Sequence, residues 1–241
     1  MRIAVVSDIH GNRTAFEAVL ADLRRTSPDL VLHGGDLADS GSSATEIVDQ
    51  IQQLGWQGVM GNTDEMLVRP ESLEEFAAQS SAPAALWDAI REIAEVTRTR
   101  LGPERLEWLS RLPLTLSLEG LALVHATPQS CWSAPAADAP DAQLAALYGP
   151  LGQPLVVFGH THCPAVRTLS ATLRLLINTG SVGLPFDDDP RAAYLLLDDG
   201  VPAIRRVEYD REKEIRALLA SGMPRAEWTA RMVRAAMPQM P

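Results

Sequence analysis

Short β-branched runs alternate with stretches of helical spacing through the first 60 residues, and each apolar run stops abruptly at polar residues. Arg2 to Ser7 (RIAVVS) reads as a buried strand. Asn12 is placed to cap a helix whose apolar positions Ala15, Phe16, Val19, Leu20 and Leu23 share one face. Asp29 to His33 reads as a second strand, Thr45 to Leu54 as a second helix and Gly58 to Met60 as a short third strand. This βαβαβ order implies parallel strands covered by helices.

The pattern then changes. Glu71 to Leu112 is rich in Ala, Glu, Arg, Leu and Trp and is broken at Pro83 and Pro103, so it reads as two or three helices inserted between strands. Strands resume at Leu114 to Leu118 and Leu121 to His125, followed by a short helix at Asp141 to Tyr148 and a strand at Pro154 to Phe158. Ala165 to Leu169, Leu173 to Asn178, Ala192 to Leu197 and Ala203 to Tyr209 read as a run of antiparallel strands. Helices at Arg211 to Ala220 and Pro224 to Met237 end the chain. There is no repeat and no linker long enough to separate domains, so the expectation is one α/β domain over residues 1–241, with a helical insertion at 71–112 and C-terminal helices at 211–237.

Composition excludes several roles. The 21 basic and 31 acidic residues leave a formal charge of −10, which repels polyanions unless a cation is added locally, so no nucleic-acid partner is expected. No window holds the ~18 apolar residues of a membrane span. The start, MRIAVVSDIHGN, lacks the pattern of a signal peptide. Cys131 and Cys163 do not demand a bridge, which makes a cytoplasmic location the expectation. A homo-oligomer is compatible with the sequence.

Chemistry gathers where the strands end. Asp8-Ile9-His10, Gly34-Gly35-Asp36, Gly61-Asn62, His125 and Gly159-His160-Thr161-His162 each follow an apolar run, and they hold four of the five histidines. Ligands of open α/β sheets bind beyond the carboxyl ends of strands. Imidazole with carboxylate suits Mn²⁺ first, with Fe, Zn²⁺ or Ni²⁺ as substitutes, whereas the scarcity of Cys argues against structural zinc. In Asp-x-His and His-x-His, alternation along a strand puts both members of each pair on one side. Two such pairs plus Asp36 exceed the needs of one ion, so two ions with Asp36 between them are expected.

The ordered series SDIHGN, HGGDLAD, GNTD, His125 and GHTH resembles the calcineurin-like metallophosphoesterase superfamily, in the form of its small bacterial and archaeal phosphodiesterase branch. The resemblance implies an αββα sandwich of two sheets. It implies a first metal on Asp8, His10, Asp36 and His162 and a second on Asp36, Asn62, His125 and His160, with Asp36, Asn62 and His125 framing a water-derived hydroxide nucleophile. Two divalent ions, two carboxylates and a hydroxide leave a net charge of about +1, enough to hold one phosphate group in an acidic protein. The larger phosphatases of the superfamily carry His directly after the motif Asn; this chain has Thr63. A hydroxyl of ordinary pKa is a poor general acid near pH 7. The activity implied is therefore hydrolysis of small phosphodiesters or nucleotide phosphoanhydrides. The alternatives are a phosphomonoesterase acting on a nucleotide or phosphoprotein, and a non-catalytic scaffold of the same fold.

Other polar residues have plainer expected roles. His33 is expected in the core or hydrogen-bonded to a loop carbonyl, and Asp39 and Asp64 as caps or orienters of ligands, Asp64 with Thr63 lying near the catalytic centre. Cys163 is expected to pack, and the five Trp to anchor the core or an interface. The insertion follows Asn62 closely, so it is placed to overhang the metals and select substrates.

Overall fold

In the computed structural model, which describes residues 1–169 and 173–241, RIAVV forms β1 (Arg2–Val6). Four of its five residues are buried, as expected of a strand covered on both faces. The chain leaves through Asn12, whose side chain accepts the Ala15 N–H, into α1 (Arg13–Thr26). It returns as β2 (Leu30–His33), parallel to β1, and after α2 (Ala44–Leu54) as β3 (Gln57–Gly58), parallel to β2. The third strand thus sits a residue or two earlier than the apolar run suggests.

α3 (Asn62–Val68) follows at once. Asn62, expected where a strand ends, is the first residue of a helix. The insertion supplies α4 (Glu71–Ala77) and α5 (Ala84–Ser110), and α5 breaks at Gly102, where φ is 69° and Pro103 restarts the helix.

The second sheet contains β4 (Thr115–Leu118), β5 (Leu121–Val124), β6 (Leu155–Phe158), β7 (Ala165–Thr168) and β8 (Leu175–Asn178), in the order β4-β5-β6-β8-β7, with α6 (Asp141–Tyr148) between β5 and β6. β9 (Ala192–Asp198) and β10 (Val201–Val207) then rejoin the first sheet, ordered β10-β9-β1-β2-β3. The expected single run of antiparallel strands is therefore two hairpins in different sheets, and β8 also runs parallel to β6. α7 (Arg211–Ala220) and α8 (Ala226–Ala235) close the fold.

Alternation along the strands builds the layers. Ile3, Val5 and Leu32 of the first sheet meet Leu123, Val157 and Ile177 of the second in a buried interface between sheets. Ala4 and Val6 point the other way, onto Phe16, Val19, Ile47 and Leu67 of the helices. Ala122, Val124 and Val156 face Leu144 and Tyr148 of α6. The result is the expected αββα sandwich. A further cluster joins Ala89 and Ile93 of α5 to Ile215, Leu218, Trp228 and Met232 of the C-terminal helices. Among the described residues no helix is long and apolar enough to cross a membrane.

His33 ends β2 fully buried, its ring 6.1 Å from that of Trp108, and neither ring nitrogen has a hydrogen-bond partner among the described residues. The expected bond to a loop carbonyl is not formed. Burial pushes its pKa down to about 4. The unfolded chain takes up this proton near pH 6.5, so the stability owed to neutral His33 is full above that pH and is lost as pH falls toward 4. Between pH 7 and pH 4.5 the natural protein should lose about 2–3 kcal/mol more than His33→Leu, measured by denaturant unfolding of both. Parallel losses would show that the ring finds a partner for its proton.

Candidate metal centre

Six of the seven predicted donors lie on the loops that leave β1, β2, β5 and β6, and the seventh, Asn62, opens α3 after β3. Asp8, His10, Asp36 and His162 are buried and offer ligand atoms within 4.8 Å of one another. His10 Nε2 and His162 Nε2 face each other at 3.2 Å, and His162 Nε2 lies 3.2 Å from Asp8 Oδ1. Beside them Asn62 Oδ1 lies 3.0 Å from His125 Nε2 and 2.9 Å from His160 Nδ1. Asp36 stands between the groups, its Oδ2 being 3.6 Å from His10 Nε2 and 3.5 Å from His125 Nε2.

The backbone route into this cluster corrects one expectation. Asp8, His10, Asp36, His160 and His162 all have φ between 50° and 65°, in the left-handed region. The pairs Asp8/His10 and His160/His162 therefore converge through turns beyond the strands and not through strand alternation. Each such conformation costs an L-residue about 1–2 kcal/mol. Bonds between the loops hold them there: Asp8 N donates to Gly35 O, His10 N to Asp36 O, and Ser181 Oγ to Asp8 O. Two glycines are required by close approach. A Cβ on Gly61 would lie 2.0 Å from Asp36 Oδ1, and one on Gly159 would lie 2.4 Å from Asp8 Oδ2.

Backbone carbonyls aim the imidazoles. His125 Nδ1 lies 2.7 Å from Gly34 O, His162 Nδ1 2.6 Å from Leu184 O, and His10 Nδ1 3.3 Å from Asp39 O. A ring nitrogen donating to a carbonyl leaves Nε2 with its lone pair toward the centre. Asp64 is wholly occupied in the same kind of work. Its carboxylate accepts from Asp36 N (2.7 Å), Leu37 N (3.0 Å) and Gly61 N (3.1 Å), pinning the Asp36 turn to the start of α3.

Electrostatics fit cations. Burial opposes charge on Asp36, yet His125, His10 and His160 hold its carboxyl well below the usual range. Asp8 is likewise held low by His162 against its burial. Burial and His162 push His10 down to about 4, and burial and His125 do the same to His160, so both rings are neutral with lone pairs to share. Burial disfavours the charged form of His125, but Asp36 and Asp8 hold its pKa up at about 10. Two ionised carboxylates beside the neutral rings of His10 and His160 are donor chemistry that divalent ions take, and a cation bound there would displace the proton that Asp36 and Asp8 hold on His125.

Some functional neighbours carry no expectation from the sequence. Asn178 at the end of β8 donates from Nδ2 to Gly159 O (2.7 Å) and to Thr161 Oγ1 (3.0 Å), bracing the His160 loop. The run Asn178-Thr179-Gly180-Ser181 has the same signature as the ligand motifs, an apolar strand ending in polar residues. Phe186 stacks on the His162 ring, with centroids 4.5 Å apart. Cys163 packs as expected, donating from Sγ to Phe186 O at 3.2 Å.

Two mixed sheets under helices, with buried carboxylates and imidazoles gathered at one end, define an α/β sandwich with a cluster of possible metal ligands. The chain belongs to the calcineurin-like phosphoesterase superfamily, whose domain it matches over residues 1–200. That superfamily is one of hydrolases that bind divalent metals. An uncharacterized protein of Methanocaldococcus jannaschii, MJ0912, is 32% identical over 247 residues, covering 94% of each chain. The metallophosphoesterase of Sphaerobacter thermophilus is 27% identical with a TM-score of 0.78, covering 98% of this chain and 99% of that one. The hypothetical protein PH1004 of Pyrococcus horikoshii shares the fold at 18% identity, with a TM-score of 0.84 and 99% coverage of both chains.

Proposed function

We propose that the chain is a phosphodiesterase-type hydrolase acting on small phosphodiesters or nucleotide phosphoanhydrides with two divalent cations, Mn²⁺ before Fe, Zn²⁺ or Ni²⁺. Asp8, His10, Asp36 and His162 would hold one ion, and Asp36, Asn62, His125 and His160 the other. When bound, such a pair supplies a nucleophile from water at neutral pH and charge for the attacking and leaving oxygens. Thr63 N–H occupies Asp36 Oδ1 at 2.9 Å, which leaves Oδ2 as the oxygen presented to both donor sets. The observation that carries the diesterase reading is Thr63 itself. It follows Asn62 and lines the cavity over the centre, and its Oγ1 is buried without a partner among the described residues. A hydroxyl of this kind cannot protonate a poor leaving group near pH 7.

The substrate partner in this reading is a small phosphorylated molecule, with neither nucleic acid nor membrane as partner. Two free cysteines suit a cytoplasmic setting, and a second copy of the chain is not needed to complete the donor sets. The test is an assay of metal-stripped protein, reconstituted with Mn²⁺, on bis-p-nitrophenyl phosphate and p-nitrophenyl phosphate. With the same leaving group in both, the diester, a monoanion matched to a centre of about +1 where the monoester is a dianion, should be cleaved at least about tenfold faster, and a chelator should abolish both activities. Chelator-insensitive turnover, or preference for the monoester, would overturn the reading.

A further inference from the structure

The insertion and the C-terminal segment turn the space over the donors into an apolar cavity of about 410 Å³, a size within the ordinary range for small-ligand sites. His10, Asp36, Asn62, His160 and His162 form its floor. Its walls come from three separate parts of the chain: Phe76 and Trp87 of the insertion, Trp132 of the loop after β5, and Trp228 with Met232 of α8. The rings form a continuous surface, Phe76 lying 5.8 Å from Trp87 and 5.0 Å from Trp132 between centroids. Phe186, stacked on His162, carries that surface down to the donors. The segment after α8 adds Pro238 and Met240, its path held by Trp228 Nε1 donating to Gln239 O at 2.7 Å. Trp87, Trp132 and Trp228 anchor the hydrophobic clusters as expected and also line this space.

The charge of the lining is as informative as its shape. Among the described residues none that lines the cavity is Arg or Lys. Nearby arginines are committed elsewhere, Arg69 to Glu65 and Glu75 and Arg206 to Asp187. A centre with a net charge of about +1 matches one phosphodiester anion. A polyphosphate brings several further charges into an apolar space with no cationic side chain to meet them, a costly desolvation.

Resting on the diesterase reading, we propose that the substrate is a singly charged phosphodiester with an apolar, preferably aromatic, non-leaving group seated against Phe76, Trp87 and Trp132, and that polyanionic nucleotides are excluded. The group bound in the cavity is distinct from the group expelled, so specificity and leaving-group chemistry can be measured apart.

The experiment holds p-nitrophenolate constant as leaving group and varies the other ester group through methyl, phenyl and 3′-phosphothymidin-5′-yl, the last giving a diphosphate-bearing ester with no anhydride bond. Alongside, calorimetry on the Mn²⁺-loaded protein compares diphenylphosphinate with dimethylphosphinate, monoanions with no ester bond to cleave. The phenyl ester should exceed the methyl ester in kcat/KM by about 10- to 100-fold, and diphenylphosphinate should bind at least about tenfold tighter than its dimethyl counterpart. The diphosphate-bearing ester should be the poorest of the three. Trp87→Ala should shrink both phenyl-to-methyl ratios. Hydrolysis with equal rates for phenyl and methyl, together with equal phosphinate affinities, overturns this inference and leaves the diesterase reading standing. Tight, selective diphenylphosphinate binding without any diester hydrolysis supports the apolar cavity and overturns the diesterase reading. A best rate on the diphosphate-bearing ester overturns the inference outright.

Discussion

Asp36→Asn should lose metal from both donor sets at once and lower kcat/KM for an aryl diester by about 10³- to 10⁴-fold. The carboxylate stands between the two sets, with Oδ2 at 3.6 Å from His10 Nε2 and 3.5 Å from His125 Nε2. Asn keeps the Oδ1 that accepts the Thr63 N–H and keeps the side-chain shape, so the loop geometry should survive. What it removes is one of the two buried negative charges that compensate the ions. Bound Mn²⁺ measured by elemental analysis should fall from about two per chain to below one. His162→Ala should mainly weaken the set containing Asp8, and His125→Ala the set containing Asn62. Loss of both ions to the same extent in all three variants would remove the division into two sets. Full metal content in Asp36→Asn would remove Asp36 from the bridging position.

The donors are legible before the fold because the chain marks them chemically: an apolar run that ends in Asp, His or Asn is visible without knowing which strands pair. The order of the parallel strands β1 to β3 is legible for the same local reason. The conformation of the donors is not. Asp8, His10, Asp36, His160 and His162 adopt positive φ only because loops from different strands brace one another, as in the bond from His10 N to Asp36 O. The residue types announce it only weakly: Asp and His enter that region more often than most L-residues, but only glycine prefers it. The helix beginning at Asn62 escapes a reading of the sequence because its seven residues form no long periodic pattern; Asp64, reaching back to Gly61 N and across to Asp36 N, secures its start. The split of β7/β8 from β9/β10 depends on pairing with β6 and β1, which are distant in sequence. The role of the C-terminal helices is hidden for a similar reason. Trp228 and Met232 read as an apolar helical face, and only the packing of α8 beside α5 turns that face toward the centre.

A steep dependence of rate on leaving-group pKa is expected from the environment of Thr63. An alkoxide leaving group has a conjugate-acid pKa near ~16, as water does, whereas a phosphate leaving group lies near ~6. Without a proton donor the first departs far more slowly, and a missing general acid typically costs about 10²- to 10⁴-fold, or ~3–5 kcal/mol. Two other acids close to the centre are committed. Asp64 gives its oxygens to three backbone N–H groups, and His33 is sealed in the core. A series of phenyl and alkyl diesters graded by leaving-group pKa, with the non-leaving group fixed, should therefore give a steep line in the natural protein. Thr63→His should flatten it, raising the poorest leaving groups by about 10²-fold and the best ones little. A flat line in the natural protein would place the proton on Asp39, which lines the cavity and whose carboxyl burial, with Asp36 and Asp64, pushes up to about 7. Asp39→Asn would then restore the steep dependence, and the preference for diesters would rest on the shape and charge of the cavity instead of on the missing acid.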